Sequence, residues 1–533
     1  MDKLDKQTIR YYNQSIITIL IIITTVVASG HGFFREISSA SDQDFILIYN
    51  ALRMNDGLPQ TYFDHTGYTY FLILSQWFEA LNLFNIIPLS KISQLPELEQ
   101  FEPMWAKLVY AGRSLSILLS ILASILFYFI LKMVIKNQNL AAIFAILFAI
   151  SPGLVRQSLI MRTELPSFVF FIIALFFTLR AGRSKIWREF FFVFLAAFFA
   201  TMATMAKMQI IPIILSLPLV GLLINVRMTR FYPPAHLTYP LPIVSSTCLI
   251  LIAISIPSFV MIWTQTFPAL PEIKSVSHSG YQFLILLYFI ITTAFYILLD
   301  KRSVREFTLA ISFIACGMAI AFYSNFFSHN IINTEKLVNF IDNMSLFARQ
   351  SLITAPSSVP EFNLFATLFL EFKDALITTI YKNFLVFDIF SLPYTLMYWG
   401  SALAMSYFFV HQKWRLFLVI GLFISISIGM EAFSGFRSYL EHYRIYYEIW
   451  ILLASAIISQ FTLKPNILKN YEKNVLNLIP TLLIIIMIGY TTFGSIVRAT
   501  TNVDWQTREN ACFQMKSLIP YFCSQEFLNN EKR

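Results

Sequence analysis

Asp42 and Asp44 flank Gln43 in a polar segment that follows an apolar stretch near residues 15–30. Side chains at i and i+2 do not share a helix face, so a turn or a helix start is needed to converge them. A carboxylate at a membrane surface can act as general base on an acceptor hydroxyl or amine. Asp42, Asp44 and His65 could also hold a divalent cation against a phosphate. The plainer reading is a helix cap, with Ser41 or Asp42 capping a helix that begins near Phe45. Asp44 stands further into the segment than an ordinary cap. Asp64-His65 is a second candidate, set between the turn residues Gly57 and Pro59 and the following Gly67. His65 suits a metal or a phosphate, or it rests against lipid headgroups.

Cationic candidates lie further along. Arg162 and Glu164 stand directly before an apolar run, at a depth where charge must be paired or used. The guanidinium could clamp a phosphate in bidentate fashion, pair with Glu164, or snorkel to the surface. Lys207 occupies a tight turn, 205–208, between two apolar runs, where it meets an anionic headgroup or anchors the interface. The last cluster holds Arg437, Glu441, His442, Arg444, Tyr446 and Glu448, with further tyrosines between, and opens another apolar run. Such a helix start suits a phosphorylated or sugar headgroup. An aromatic belt would explain the tyrosines but not two arginines.

Apolar elements must position these residues. The chain has 533 residues, 57% hydrophobic and 13% charged, with mean hydropathy +0.65. Soluble proteins carry about 25% charged residues, so a soluble globular class is excluded. With 16 Gly, 21 Pro and 4 Cys, so are disordered, fibrous and disulfide-dense classes. What remains is an all-α polytopic membrane protein. The net charge of +9 is spread in short clusters between apolar runs, which argues against a nucleic-acid partner.

About thirteen runs are long and apolar enough to span. They lie near 15–30, 110–131, 139–152, 166–180, 189–206, 209–226, 241–262, 281–299, 307–323, 391–410, 415–431, 447–462 and 475–493. Segment 69–88 reads as interfacial, because Glu79, Asn82 and Asn85 break it up. With the N-terminus inside, every short inner segment carries Lys or Arg, and the rest of the chain is net acidic. This topology puts the C-terminus outside. The long segments 31–109 and 324–390 and the tail 494–533 then face the extracytoplasmic side, which becomes the working face. Cys512 and Cys523 lie in that tail, where an oxidising compartment would let them pair. Walker, dinucleotide-binding and HExxH motifs are all missing from the sequence.

This pattern resembles the GT-C class of integral membrane glycosyltransferases, in particular the protein O-mannosyltransferase and aminoarabinose–lipid A transferase branch. The elements that carry the likeness are the spans, the acidic Asp42-Gln43-Asp44 motif, the Arg162-Thr163-Glu164 turn, Lys207, and Arg444 with Tyr446. The resemblance implies a GT-C-like catalytic domain over 1–493 and a tail over 494–533. It implies inverting transfer of a sugar from a polyprenyl-phosphate carrier to a lipid, glycan or protein acceptor. Asp44 would be the base with Asp42 supporting, and Arg162, Lys207 and Arg444 would neutralise the leaving phosphate. Glu164, Tyr446, His442, Asp64 and His65 would complete the substrate site. No cofactor is required, and a divalent cation is compatible. Segment 324–390 would cover the site and help choose the acceptor. A bacterial inner membrane, with the site facing the periplasm, is the expected location. A lipid-linked glycan flippase or transporter, or an O-antigen-type polymerase or ligase, stays open as an alternative.

Overall fold

The computed structural model describes residues 2–40, 44–58, 68–96, 98–184, 186–225, 304–327, 361–386, 392–436 and 443–462, with parts of 509–524. Among the described residues all regular structure is helical. The helices are α1 (Asp2–Ala28), α2 (Asp44–Asn55), α3 (Tyr68–Leu83), α4 (Leu98–Val134), α5 (Gln138–Ala149), α6 (Pro152–Leu159) and α7 (Glu164–Ala181). They continue with α8 (Ile186–Ala206), α9 (Ile211–Asn225), α10 (Val304–Phe327), α11 (Glu361–Leu385), α12 (Leu392–Val410), α13 (Trp414–Phe436) and α14 (Arg444–Thr462).

Five of these are long and apolar enough to cross a membrane: α1, α4, α7, α8 and α13, all judged on length and composition. The chain is therefore a multi-pass membrane protein. A sixth crossing is available if α5 and α6, bent by 47° at their junction, act as one broken span. The break is local chemistry. Ile150 leaves the helical region, Ser151 caps the next helix by accepting from Leu154 N, and Pro152 takes the first helical position, where its missing N–H does no harm. The expected spans 241–262, 281–299 and 475–493 lie outside the described residues.

The expectation of long outer loops is refined. Segment 31–109 carries α2, α3 and the first three turns of α4, which at 37 residues is about 55 Å long, well beyond a hydrocarbon core of about 30 Å. Its N-terminal end packs with α2 and α3 around Phe45, Tyr70, Phe78 and Trp105. Segment 324–390 likewise contains α11, which packs on α13. The buried carboxylate of Glu431 on α13 takes Asn383 Nδ2 and, at 3.3 Å, Lys382 Nζ from α11. At the opposite end of α4, Tyr128 and Lys132 both donate to Asn13 Oδ1, which ties α1 to α4 beside the basic N-terminus.

Candidate functional site

Asp44 is the first residue of α2 and is fully buried. A carboxylate in the first turn is favoured by the free N–H groups and dipole of the helix. Its Oδ2 accepts from Arg113 Nε at 2.9 Å, and its Oδ1 accepts from the backbone N–H of Met161 at 2.9 Å. Arg113, 1% exposed on α4, spends its other donors on the carbonyls of Phe33, Arg35 and Glu36, just beyond the end of α1. One ion pair thus fastens the exit of α1, the start of α2, the shaft of α4 and the turn before α7. Burial, and then the neighbouring Arg113 charge, bring the Arg35 guanidinium down to about 10. Burial also pushes the Tyr70 phenol well up. Ser116 works against that shift and the nearby Asp44 carboxylate adds to it, so Tyr70 stays neutral.

Three residues from Met161, Glu164 opens α7 and gathers two cations. Lys207 Nζ stands 3.1 Å from its Oε1, and Arg162 Nε 3.7 Å from its Oε2. Lys207 is only 1% exposed, so it is no surface anchor. The turn that carries it directly follows α8, whose last turn is held on α7, where Ser167 Oγ donates to Ala203 O. From the far end of the chain, Tyr446 OH donates to the Glu164 carbonyl at 3.3 Å. Its neighbour Arg444 lies over the Tyr394 ring and pairs with Glu448 one helical turn on. Glu448 in turn accepts from Gly153 N at 2.9 Å, at the start of α6.

The closeness of α6 and α14 depends on Gly153. An added Cβ there would fall 2.6 Å from both Glu448 Oε2 and Ile445 N, and backbone cannot swing aside as a side chain can. Gly153→Ala should lower stability by about 1–3 kcal/mol, the usual range for overpacking. The expected readout is a lower midpoint in a detergent thermal melt; an unchanged midpoint would show that the contact yields freely.

The sequence-predicted residues therefore fall into two groups. Asp44, Arg162, Glu164, Lys207, Arg444 and Tyr446 converge on one end of the helix bundle, linked by the contacts above. Asp42, Asp64, His65 and His442 lie outside the described residues. No group of three His, Cys, Asp or Glu side chains gathers among the described residues, and two of the three expected cation ligands, Asp42 and His65, are not among them. Sequence reasoning missed Arg113 and Glu431. The available signal was a charge at the mouth of an apolar span, which needs a partner.

Five helices begin at this end of the bundle: α2 at Asp44, α6 beside Gly153, α7 at Glu164, α9 after Lys207 and α14 at Arg444. Their N-termini bring positive partial charge into the same region as two arginines and a lysine, and at α6 the N–H of Gly153 already donates to Glu448. A multi-pass protein with such a face, helical throughout its described regular structure, suits an anionic, lipid-borne ligand. Residues 107–263 match the family model described as dolichyl-phosphate-mannose-protein mannosyltransferase, a family of GT-C type. The stretch takes in Arg113, Arg162, Glu164 and Lys207; Asp44 and Arg444 lie outside it. The resemblance to GT-C membrane glycosyltransferases is borne out through this match. A search of curated proteins finds no match to the chain.

Proposed function

We propose that the protein moves a sugar from a polyprenyl-phosphate carrier to a lipid, glycan or protein acceptor on the extracytoplasmic face of the membrane. The observation that carries this reading is the buried convergence of Arg162, Lys207 and Arg444 among the helix N-termini, with Arg162 and Lys207 on Glu164 and Arg444 on Glu448. Cations oriented before the reaction can stabilise the charge that develops on a leaving phosphate without reorganising. The disulfide between Cys512 and Cys523 supports the outward assignment of this face, because the tail that contains it packs on α2 and disulfides persist in oxidising compartments.

Transfer inverts the sugar's anomeric centre. The acceptor hydroxyl or amine attacks C1, the C1–O bond to the phosphate breaks, and the carrier leaves as polyprenyl phosphate. A base takes the acceptor's proton. Asp44 is poorly placed for that work, since both oxygens are engaged and an acceptor would have to displace Arg113. We assign the base to Asp42, two residues earlier, and give Asp44 the task of holding the start of α2. This reverses the roles expected from the sequence.

Purified protein offered a panel of polyprenyl-phosphate sugars should release free polyprenyl phosphate. Asp42→Asn should lower that release by about 10²–10⁴-fold, the range for a lost general base, with the melting midpoint kept. Unchanged turnover in Asp42→Asn would remove Asp42 from the role. Absence of release from every donor, with intact protein, would turn the reading toward a flippase or a ligase that uses a lipid diphosphate.

A further inference from the structure

The C-terminal tail completes the core of the first outer segment. Cys512 and Cys523 close an 11-residue span of chain. Around that closure Met515, Ile519, Tyr521 and Phe522 are buried, all in the same apolar cluster as α2, α3 and the outer end of α4. Phe522, fully buried, stacks on Phe45 at 4.6 Å between ring centroids and meets Trp105 and Phe101 edge-on at 5.4 Å each. Tyr521 covers the other side of Phe101 at 4.5 Å.

The rings it touches are not arbitrary. Phe45 directly follows Asp44 at the start of α2. Trp105 lies on α4 about two turns before Arg113. Phe522 is thus wedged between the two helices whose charges form the Asp44–Arg113 pair. The regular structure here is one short 3-10 turn, Pro520–Cys523. A lone short segment of this kind would fray, and the disulfide limits the ways in which it can do so.

We propose that the disulfide-closed tail is a clasp, and that Phe522 is a positioning residue that sets the start of α2, at Asp44 and two residues after Asp42 in sequence, against α4. Its effect on turnover rests on the transfer reaction proposed above; its effect on α2 does not. An acidic segment displaced by about 1 Å loses up to about 10²-fold in rate.

The test uses the full-length protein in detergent as the oxidised wild type, the same sample after thiol reduction, Phe522→Ala, and the conservative Phe522→Tyr. Hydrogen exchange is followed in peptides from 44–55 and, as reference, from 164–206. The clasp predicts faster exchange in α2 after reduction and in Phe522→Ala, none in α7 or α8, and wild-type behaviour in Phe522→Tyr. Release of polyprenyl phosphate should fall in kcat by up to about 10²-fold, with the donor KM held, and return in Phe522→Tyr. Because reduction acts on protein already folded, a Phe522→Ala chain that fails to fold leaves a decisive arm. Unchanged α2 exchange after reduction overturns the clasp. Loosened α2 in a wild type that turns over no donor keeps the clasp and overturns the transferase reading.

Discussion

Arg113→Met should be the most destabilising single substitution among the charged residues described. It leaves the Asp44 carboxylate fully buried without its partner, and loss of one member of a buried pair costs about 3–5 kcal/mol. It also strips donors from the carbonyls of Phe33, Arg35 and Glu36. Asp44→Asn is milder, because the amide oxygen still accepts from Met161 N and the remaining guanidinium keeps its three carbonyls. The double substitution removes both charges and should recover part of the loss seen in Arg113→Met. Thermal melts of the four proteins measure the coupling directly. A double variant that melts no higher than Arg113→Met would mean that the carbonyl contacts, and not the ion pair, carry the effect.

That pair marks where the sequence stops being readable. Asp44 and Arg113 are each visible as charges beside apolar runs, but 69 residues separate them, and nothing local declares that they meet. The apolar runs were legible because a bilayer imposes a length and a composition on whatever crosses it. Every expected span that falls on described residues is helical, with 139–152 broken at Ile150–Ser151. A helix beginning near Phe45 was legible as α2, and segment 69–88 reads as interfacial because Glu79, Asn82 and Asn85 break it up; that α2 and α3 (Tyr68–Leu83) pack into one core is a matter of tertiary contact, which local pattern does not carry. Lys207 was legible as a turn residue and not as a buried one, since burial there comes from α7 and Glu164. Gly153 carried no signal at all. Its lack of a side chain matters because Ile445 and Glu448, far along the chain, lie against it. For the tail, the redox compartment argued for a disulfide, but the docking of Phe522 on Phe45 depends on where the tail returns to the outer segment.

Lys207→Met should produce the second large effect, this time on turnover. In the proposed reaction Lys207 faces the carrier phosphate, and loss of one such preorganised donor costs about 10²–10³-fold in rate. Glu164 gives the lysine a partner at rest, with Arg162 on the carboxylate's other oxygen. A phosphate arriving at this end can take Lys207 while Arg162 stays on Glu164, so no charge is stranded at any stage and the exchange is nearly balanced. Lys207→Arg restores the charge but not the shape, because a planar fork cannot replace a compact ammonium in a space that leaves the residue 1% exposed. The arginine variant should recover only part of the rate. Inhibition by added polyprenyl phosphate separates this role from a structural one. It should weaken in Lys207→Met by a similar factor, while any inhibition by the uncharged polyprenol should not change. Equal inhibition of wild type and Lys207→Met by polyprenyl phosphate would take the lysine out of the phosphate site and leave it as a bolt between α7 and the α8–α9 turn, in which case the cost would appear in the melting midpoint instead.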